Sequence, residues 1–199
     1  MIERRSALSA HASFKPGTVA GPVADGQPAV TIAERAALAI LQVSAFHDSI
    51  AAAGERLTAA IGLAPPAANR SGGDDTKSIR AIGPGVWQIV GVEGGLPAAK
   101  DLRAQLSGMA TVVDLGHART ALRVSGRDAA RTLAKHCALD LDTARFPIGG
   151  ATNTRFGHLG ITLARIDETS FELLVFRGYA EFVFEALLEA ATEFGVQIS

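Results

Sequence analysis

The sequence predicts an α+β fold built from two ferredoxin-like βαβ halves with mostly antiparallel sheets. Strand–helix–strand patterns occur more than once along the 199 residues, and a clear hairpin interrupts them at residues 159–175. Strict alternation of strands and helices would instead favour a parallel, doubly wound sheet. Apolar residues make up 48% of the chain and charged residues 20%, which is typical of an ordered globular protein.

Residues 1–28 are predicted to form an extended or flexible N-terminal arm. This segment is rich in Ala, Ser, Gly and Pro and follows neither the strand period nor the helix period. Periodicity begins at Val30. We therefore expect residues 29–199 to form a single α+β domain, with halves at about 29–110 and 111–199.

The first half has the pattern of a strand, a helix, a strand pair and a second helix. Gly62 follows the first helical pattern and is typical of a helix C-cap, and the Gly-Pro-Gly sequence at 83–85 predicts a turn. The predicted elements are a strand at Ala37–Val43, a helix with apolar positions from Phe46 to Ile61, a loop at Ala64–Asp75, strands within Ile79–Val92 and a helix that begins near Pro97.

The second half has clearer periodicity. Apolar side chains alternate in two runs, Leu159–Leu163 and Phe171–Val175, and the polar residues between them predict a hairpin loop. The other predicted elements are strands at Thr111–Leu115 and Arg119–Val124, a helix from Ser125 to about His136, a turn at Phe146–Gly150 and a last helix from Ala180 to about Phe194.

Charge and cysteine usage exclude several classes of protein. Nineteen basic against twenty acidic residues give a net charge of -1, so we expect no binding of nucleic acid through an excess of cations. No apolar run approaches the ~18 residues that cross a bilayer, and no apolar leader follows the first residues, so we expect no membrane association. Cys137 is the only cysteine, which excludes an internal disulfide, and a cytoplasmic protein is expected.

No familiar catalytic or metal-binding motif is present. The five histidines occur in no zinc-binding spacing, and the glycines form no phosphate-binding loop. Asp114 and His117 leave open an acid–base pair for a self-contained hydrolase, although an Asp at the end of a strand more often accepts hydrogen bonds from a turn.

The last predicted helix carries a stripe of glutamates on one face. They recur every four residues, and no lysine alternates with them. One interpretation is a solvated face, and the other is a docking edge for a basic partner surface. The stripe consists of Glu181, Glu185, Glu189 and Glu193.

Trp87 and Arg177 each allow two interpretations. Trp87 is the only tryptophan and lies on a predicted strand, where it serves either the core or an interface. Arg177 ends an otherwise apolar strand, so it either forms an internal ion pair or contacts a partner.

A long ordered string of short motifs in the second half resembles the sarcosine oxidase gamma-subunit family. The resemblance covers about residues 79–199. A weaker similarity extends over Val30–Leu63. The corner at residues 177–180 reads Arg-Gly-Tyr-Ala, whereas the family usually has Arg-Ser-Phe-Ala. The matching pieces are Gly83–Trp87, Val113–Gly126, Ala129–Lys135, Leu139–Leu141, Phe146–Gly149, Thr154, Phe171–Ala180 and Glu193–Gly195.

The resemblance implies a fold similar to the folate-binding domain of the glycine-cleavage aminomethyltransferase. It further implies a non-catalytic gamma subunit in a heterotetrameric oxidoreductase that acts on the CH–NH group of sarcosine and demethylates it to glycine. In such an assembly FAD, FMN, NAD, tetrahydrofolate and zinc are expected on the alpha, beta and delta partner subunits, and none on this chain.

Two alternatives remain open at this point. A gamma-type chain also occurs in N-methylglutamate dehydrogenase, and the related fold allows a stand-alone folate-binding module. If the chain is a gamma subunit, the residues predicted to contact its partners are Trp87, Arg177, Tyr179, Glu181, Glu185 and Glu189.

Overall fold

The computed structural model describes residues 6–9, 11, 13–23 and 27–199. The strands, numbered in chain order, are β1 (Val19–Ala20), β2 (Val30–Arg35), β3 (Leu38–Ala45), β4 (Ser71–Gly73), β5 (Lys77–Gly83), β6 (Val86–Val92), β7 (Ala110–Asp114), β8 (Arg119–Ser125), β9 (Ala151–Phe156), β10 (Leu159–Arg165), β11 (Ser170–Phe176) and β12 (Val196–Ile198). The α-helices are α1 (Ile50–Ile61), α2 (Ala99–Gln105), α3 (Ala129–Ala134) and α4 (Ala180–Thr192).

The chain divides into two units, and one of them is discontinuous. Unit 1 joins the residues up to Ala36 with Ala118–Ser199, and unit 2 is Ala37–His117. This division differs from the two successive halves expected from the sequence. The physical reason is a parallel pairing of β12 with β2, which ties the end of the chain to its first long strand.

Unit 2 is a ferredoxin-like βαββαβ arrangement with one additional short strand, β4, after α1. Its five-stranded sheet runs β4-β5-β6-β3-β7, and all four neighbouring pairs of strands are antiparallel. The apolar faces of α1 and α2 pack on one side of the sheet with Leu57, Leu102 and Ile89. Gly62 ends α1 in the left-handed conformation, with φ of 73°, as its place in the sequence predicts.

Unit 1 is a ferredoxin-like arrangement enlarged by three additional strands. Its seven-stranded sheet runs β1-β12-β2-β8-β11-β10-β9, so β2 lies between β12 and β8. Helices α3 and α4 cover one face, where Leu133, Phe184 and Leu173 belong to one apolar core. The α+β class with mostly antiparallel sheets is confirmed.

The described part of the first 28 residues belongs to unit 1. Leu8 is fully buried in its core, and β1 pairs with β12. The Glu34 carboxylate holds this segment by accepting hydrogen bonds from the Ser6 hydroxyl and the Ala7 amide. The sequence predicts an extended or flexible arm here. In the structure, the buried Leu8 side chain instead anchors the described part of the segment to the sheet.

Among the described residues, no helix combines the length and the apolar character needed to cross a membrane.

Candidate subunit interface

A corner between β11 and α4 exposes three aromatic side chains. We call residues 176–182 the β11–α4 corner. Phe176 ends the strand, a single 3-10 turn follows at Arg177–Tyr179, and α4 begins at Ala180. The exposed fractions of Phe176, Tyr179 and Phe182 are 46%, 52% and 55%.

The helix geometry explains why these aromatic side chains face outward. Ala180, Val183 and Phe184 of the first turns of α4 are buried in the core of unit 1. Phe182 occupies the opposite side of the helix, so its ring has no place in that core. Aromatic residues exposed close together in this way are typical of protein–protein contacts.

Three of the residues predicted to contact partners lie in this corner. Tyr179 and Glu181 are exposed, and Arg177 is half-buried. The Arg177 backbone N–H donates to the Ala118 carbonyl at 2.9 Å, which fixes the turn against the start of β8. The sequence pattern thus brings Arg177, Tyr179 and Glu181 together on one short segment.

The glutamate stripe of α4 is exposed along its length, but two of its members have partners within unit 1. His11 Nε2 lies 2.8 Å from Glu185 Oε1, and Lys135 Nζ lies 2.5 Å from Glu193 Oε1. For Glu181 and Glu189 the described residues provide no ion-pair partner. Half of the stripe therefore belongs to a solvated, internally paired face, and Glu181 and Glu189 remain candidates for partner contact.

Trp87 lies elsewhere, in the apolar core of unit 2. Only 5% of its surface is exposed, and it packs in the same cluster as Leu57 and Ile89. This placement favours the core interpretation of Trp87 over the interface interpretation, because a side chain this buried offers little area to a partner.

A cleft that sequence reasoning missed opens on the sheet of unit 1. We call it the Gly160 cleft, and its volume is about 360 Å³. The guanidinium carbon of Arg119 lies 3.6 Å from the ring centroid of Phe176 at its wall. The cleft thus adjoins the β11–α4 corner, since Phe176 belongs to both. Its lining residues are Arg119, Asn153, Thr154, Arg155, Gly160, Ile161 and Phe176.

Asp114 and Cys137 lie in surroundings that are typical of structural rather than catalytic residues. Asp114 Oδ1 accepts the Gly116 N–H at 2.8 Å, as expected for an Asp that stabilises a turn. Cys137 is buried, and this burial raises the pKa of its thiol to about 11, so the nucleophilic thiolate is scarce at neutral pH. Among the described residues, no three His, Cys, Asp or Glu side chains are grouped so that they could hold a metal ion.

Comparisons with known proteins agree on one family. Residues 44–193 match the sarcosine oxidase, gamma subunit family. The chain is 28% identical to the sarcosine oxidase subunit gamma of Corynebacterium sp. (strain U-96), over 85% of this chain and 82% of that one. It is 31% identical to the sarcosine oxidase subunit gamma of an Arthrobacter species, over 76% of this chain and 72% of the other.

Solved structures agree in fold. The chain is similar to a chain of the heterotetrameric sarcosine oxidase from Corynebacterium sp. U-96, with a TM-score of 0.81, 28% identity and 96% of both chains covered. It is also similar in fold to the glycine cleavage system aminomethyltransferase T from Bartonella henselae. That TM-score is 0.62 at 17% identity, with 86% of this chain and 48% of the other covered. From the family match and the two gamma-subunit relatives, we conclude that this chain belongs to the sarcosine oxidase gamma-subunit family.

Proposed function

We propose that this chain is the non-catalytic gamma subunit of a heterotetrameric sarcosine oxidase. The observation that carries the proposal is the similarity to a chain of such an oxidase over 96% of both chains. In this proposal the alpha, beta and delta subunits hold FAD, FMN, NAD, tetrahydrofolate and zinc, and the gamma subunit supports them from outside the reaction. A cytoplasmic setting, expected from the sequence, is part of the proposal.

The β11–α4 corner is the surface that we assign to partner contact. Tyr179 and Phe182 expose about half of their surfaces to solvent in the isolated chain. Covering such rings removes apolar area from water at roughly 25 cal/mol per Å². Arg177 and Glu181 supply charges at the rim, where they favour the correct partner more than they raise affinity.

The experiment is co-expression of the tagged chain with the other subunits of its native host, followed by affinity purification. We expect two large chains and one small chain to co-purify, with the yellow absorbance of bound flavin. A colourless 20.6 kDa species that purifies alone would contradict the proposal.

A double variant tests the corner itself. Tyr179→Ser with Phe182→Ser should leave the free energy of unfolding within about 0.5 kcal/mol of the parent, because surface positions contribute little to it. The same variant should weaken assembly by about 30-fold or more, as buried aromatic contacts do. Phe46→Ser is the matched control, since Phe46 is also an exposed aromatic residue but lies in unit 2. Equal assembly of the double variant and the control would contradict the assignment.

A further inference from the structure

The floor of the Gly160 cleft is a glycine on β10, and side chains from β8, β9 and β11 surround it. Arg119 on β8 stands opposite Phe176 on β11, and Gly160 on β10 stands opposite Arg155 on β9. A Cβ atom added at Gly160 would meet no heavy atom within 4 Å. The missing side chain of Gly160 therefore leaves a hollow, with Phe176 and Arg119 on one side and Arg155 on the other.

The charged side chains that line this hollow are all positive. Its lining includes the two guanidinium groups of Arg119 and Arg155 and no carboxylate. In the part of the chain that the structure describes, neither arginine has an ion-pair partner. Arginine presents its donors in a planar fork that matches a carboxylate. The chemistry of the lining thus points to an anionic ligand of that shape.

Arg119 is held in place for such a ligand. Its guanidinium group stacks on the Phe176 ring, and its buried Nε has no hydrogen-bond partner among the described residues. Partial burial also lowers the pKa of Arg119, although an arginine stays protonated at any pH near neutrality. A desolvated cation that lacks an anion gains more from a charged partner than a fully hydrated one does.

The cleft is too open to enclose a small molecule. Asn153, Arg155 and Gly160 are all exposed, whereas small-molecule sites commonly bury most of the ligand surface. The cleft also borders β9, the edge strand of the sheet, and edge strands are places where another polypeptide can lie alongside. Both features indicate that the ligand of the cleft is a side chain of another protein and not a free small molecule.

We propose that the Gly160 cleft receives an Asp or Glu side chain of a partner subunit. The carboxylate binds the guanidinium groups of Arg119 and Arg155, and the aliphatic part of the side chain lies against Phe176. This proposal rests on the proposed function, because it requires that the chain assemble with partner subunits. It extends the contact surface from the β11–α4 corner onto the open end of the sheet.

Two variants of the assembled oxidase test the site by independent routes. Gly160→Val fills the hollow without changing charge, and valine suits a strand position with free space around its Cβ. Arg155→Gln removes one charge from an exposed side chain. Each should weaken the binding of this chain to the remaining subunits by about tenfold or more, measured as the dissociation constant on an immobilised complex. Arg155→Gln should also reduce the dependence of that constant on salt.

Matched controls separate the cleft from general effects of the substitutions. Gly72→Val adds the same side chain to another strand glycine with open space, on β4 of unit 2. Arg145→Gln removes a charge from an exposed arginine that does not line the cleft. Both controls should assemble like the parent chain.

The outcomes distinguish this inference from the proposed function. If the parent chain fails to assemble, the proposed function fails and the inference fails with it. If the parent assembles and both cleft variants bind as tightly as the controls, the inference alone is wrong. Glutarate is the small-molecule probe, titrated into the isolated chain while the Arg119 Nε–H resonance is followed by NMR. If glutarate binds saturably below about 1 mM and Gly160→Val abolishes this binding, the cleft is a site for a small carboxylate ligand. The proposal of a partner side chain would then be wrong.

Discussion

Glu172 Oε2 accepts a hydrogen bond from Arg35 Nη1 at 2.5 Å, although the Glu172 side chain is fully buried. Arg123 Nη2 lies 3.0 Å from the same oxygen and stands directly opposite Glu172 in the β8–β11 pairing. Both arginines keep 18% of their side chains exposed. A carboxylate in the sheet of unit 1 thus joins β11 to β8 and β2 through charge, in addition to the backbone ladder.

Removing this carboxylate should destabilise unit 1 strongly. Glu172→Ala leaves two partly buried cations without their shared anion, which costs about 3–5 kcal/mol of unfolding free energy. Urea denaturation measures the loss, and Glu172→Gln is a second variant that keeps the shape. Glu189→Ala, an exposed glutamate, is the control and should change stability by no more than about 0.5 kcal/mol. A loss below about 1 kcal/mol for both Glu172 variants would show that the pair contributes little.

Leu8 should matter to stability as much as a residue of the central strands. Leu8→Ala removes a fully buried side chain from the core of unit 1 and should cost about 2–5 kcal/mol. Val23→Ala, at an exposed position of the same N-terminal segment, should cost far less. Thermal and urea unfolding provide the comparison. Equal, small effects of the two substitutions would mean that the N-terminal segment behaves as the flexible arm expected from its composition.

The thiol of Cys137 should react slowly in the folded protein. Because burial raises its pKa to about 11, only about one thiol in a thousand is a thiolate at pH 8, and access is restricted as well. A disulfide reagent such as dithionitrobenzoate should label Cys137 quickly in 6 M guanidinium chloride and at least about 100-fold more slowly without it. Rapid labelling of the folded chain would contradict this burial.

The hairpin loop between β10 and β11 should contribute a small pH dependence. Desolvation alone raises the pKa of Asp167, but hydrogen bonds from Thr169 and Ser170 outweigh it and lower the pKa below its usual value. A lowered pKa in the folded state stabilises the fold above the unfolded pKa, and this contribution is lost as pH falls through the folded pKa. The stability difference between the parent and Asp167→Asn should therefore be present at pH 7 and shrink below about pH 4. A difference that stays constant down to pH 2 would contradict the assignment.

The long, periodic elements could be predicted from the sequence, and the short strands could not. In the hairpin of β10 and β11, apolar residues recur at every second position over Leu159–Leu163 and Phe171–Val175, which is a strong local signal. Strands β1, β4 and β12 have two or three residues each, too few for any period. The parallel β2–β12 pairing joins residues more than 160 positions apart, so no local pattern indicates it.

The features of the candidate site also fall into those that could be predicted from the sequence and those that could not. The exposed glutamates follow from helix periodicity, because a solvent face is a local property. Tyr179 lies in the 3-10 turn before α4, where no helix period applies. The partners of Glu185 and Glu193 are His11 and Lys135 on other segments, and the Gly160 cleft arises from cross-strand register. Trp87 could be assigned to neither core nor interface, since its strand is buried on both faces along most of its length.

The mass of the native complex tests the central claim most directly. The chain, co-expressed with the partner subunits of its host and purified through a tag on this chain alone, is measured intact by native mass spectrometry. We predict one species that contains four different subunits, one copy of this chain among them, and that carries flavin absorbance. A free 20.6 kDa chain in the eluate, with a stable assembly of the other three subunits left in the flow-through, would contradict the claim that it is their gamma subunit.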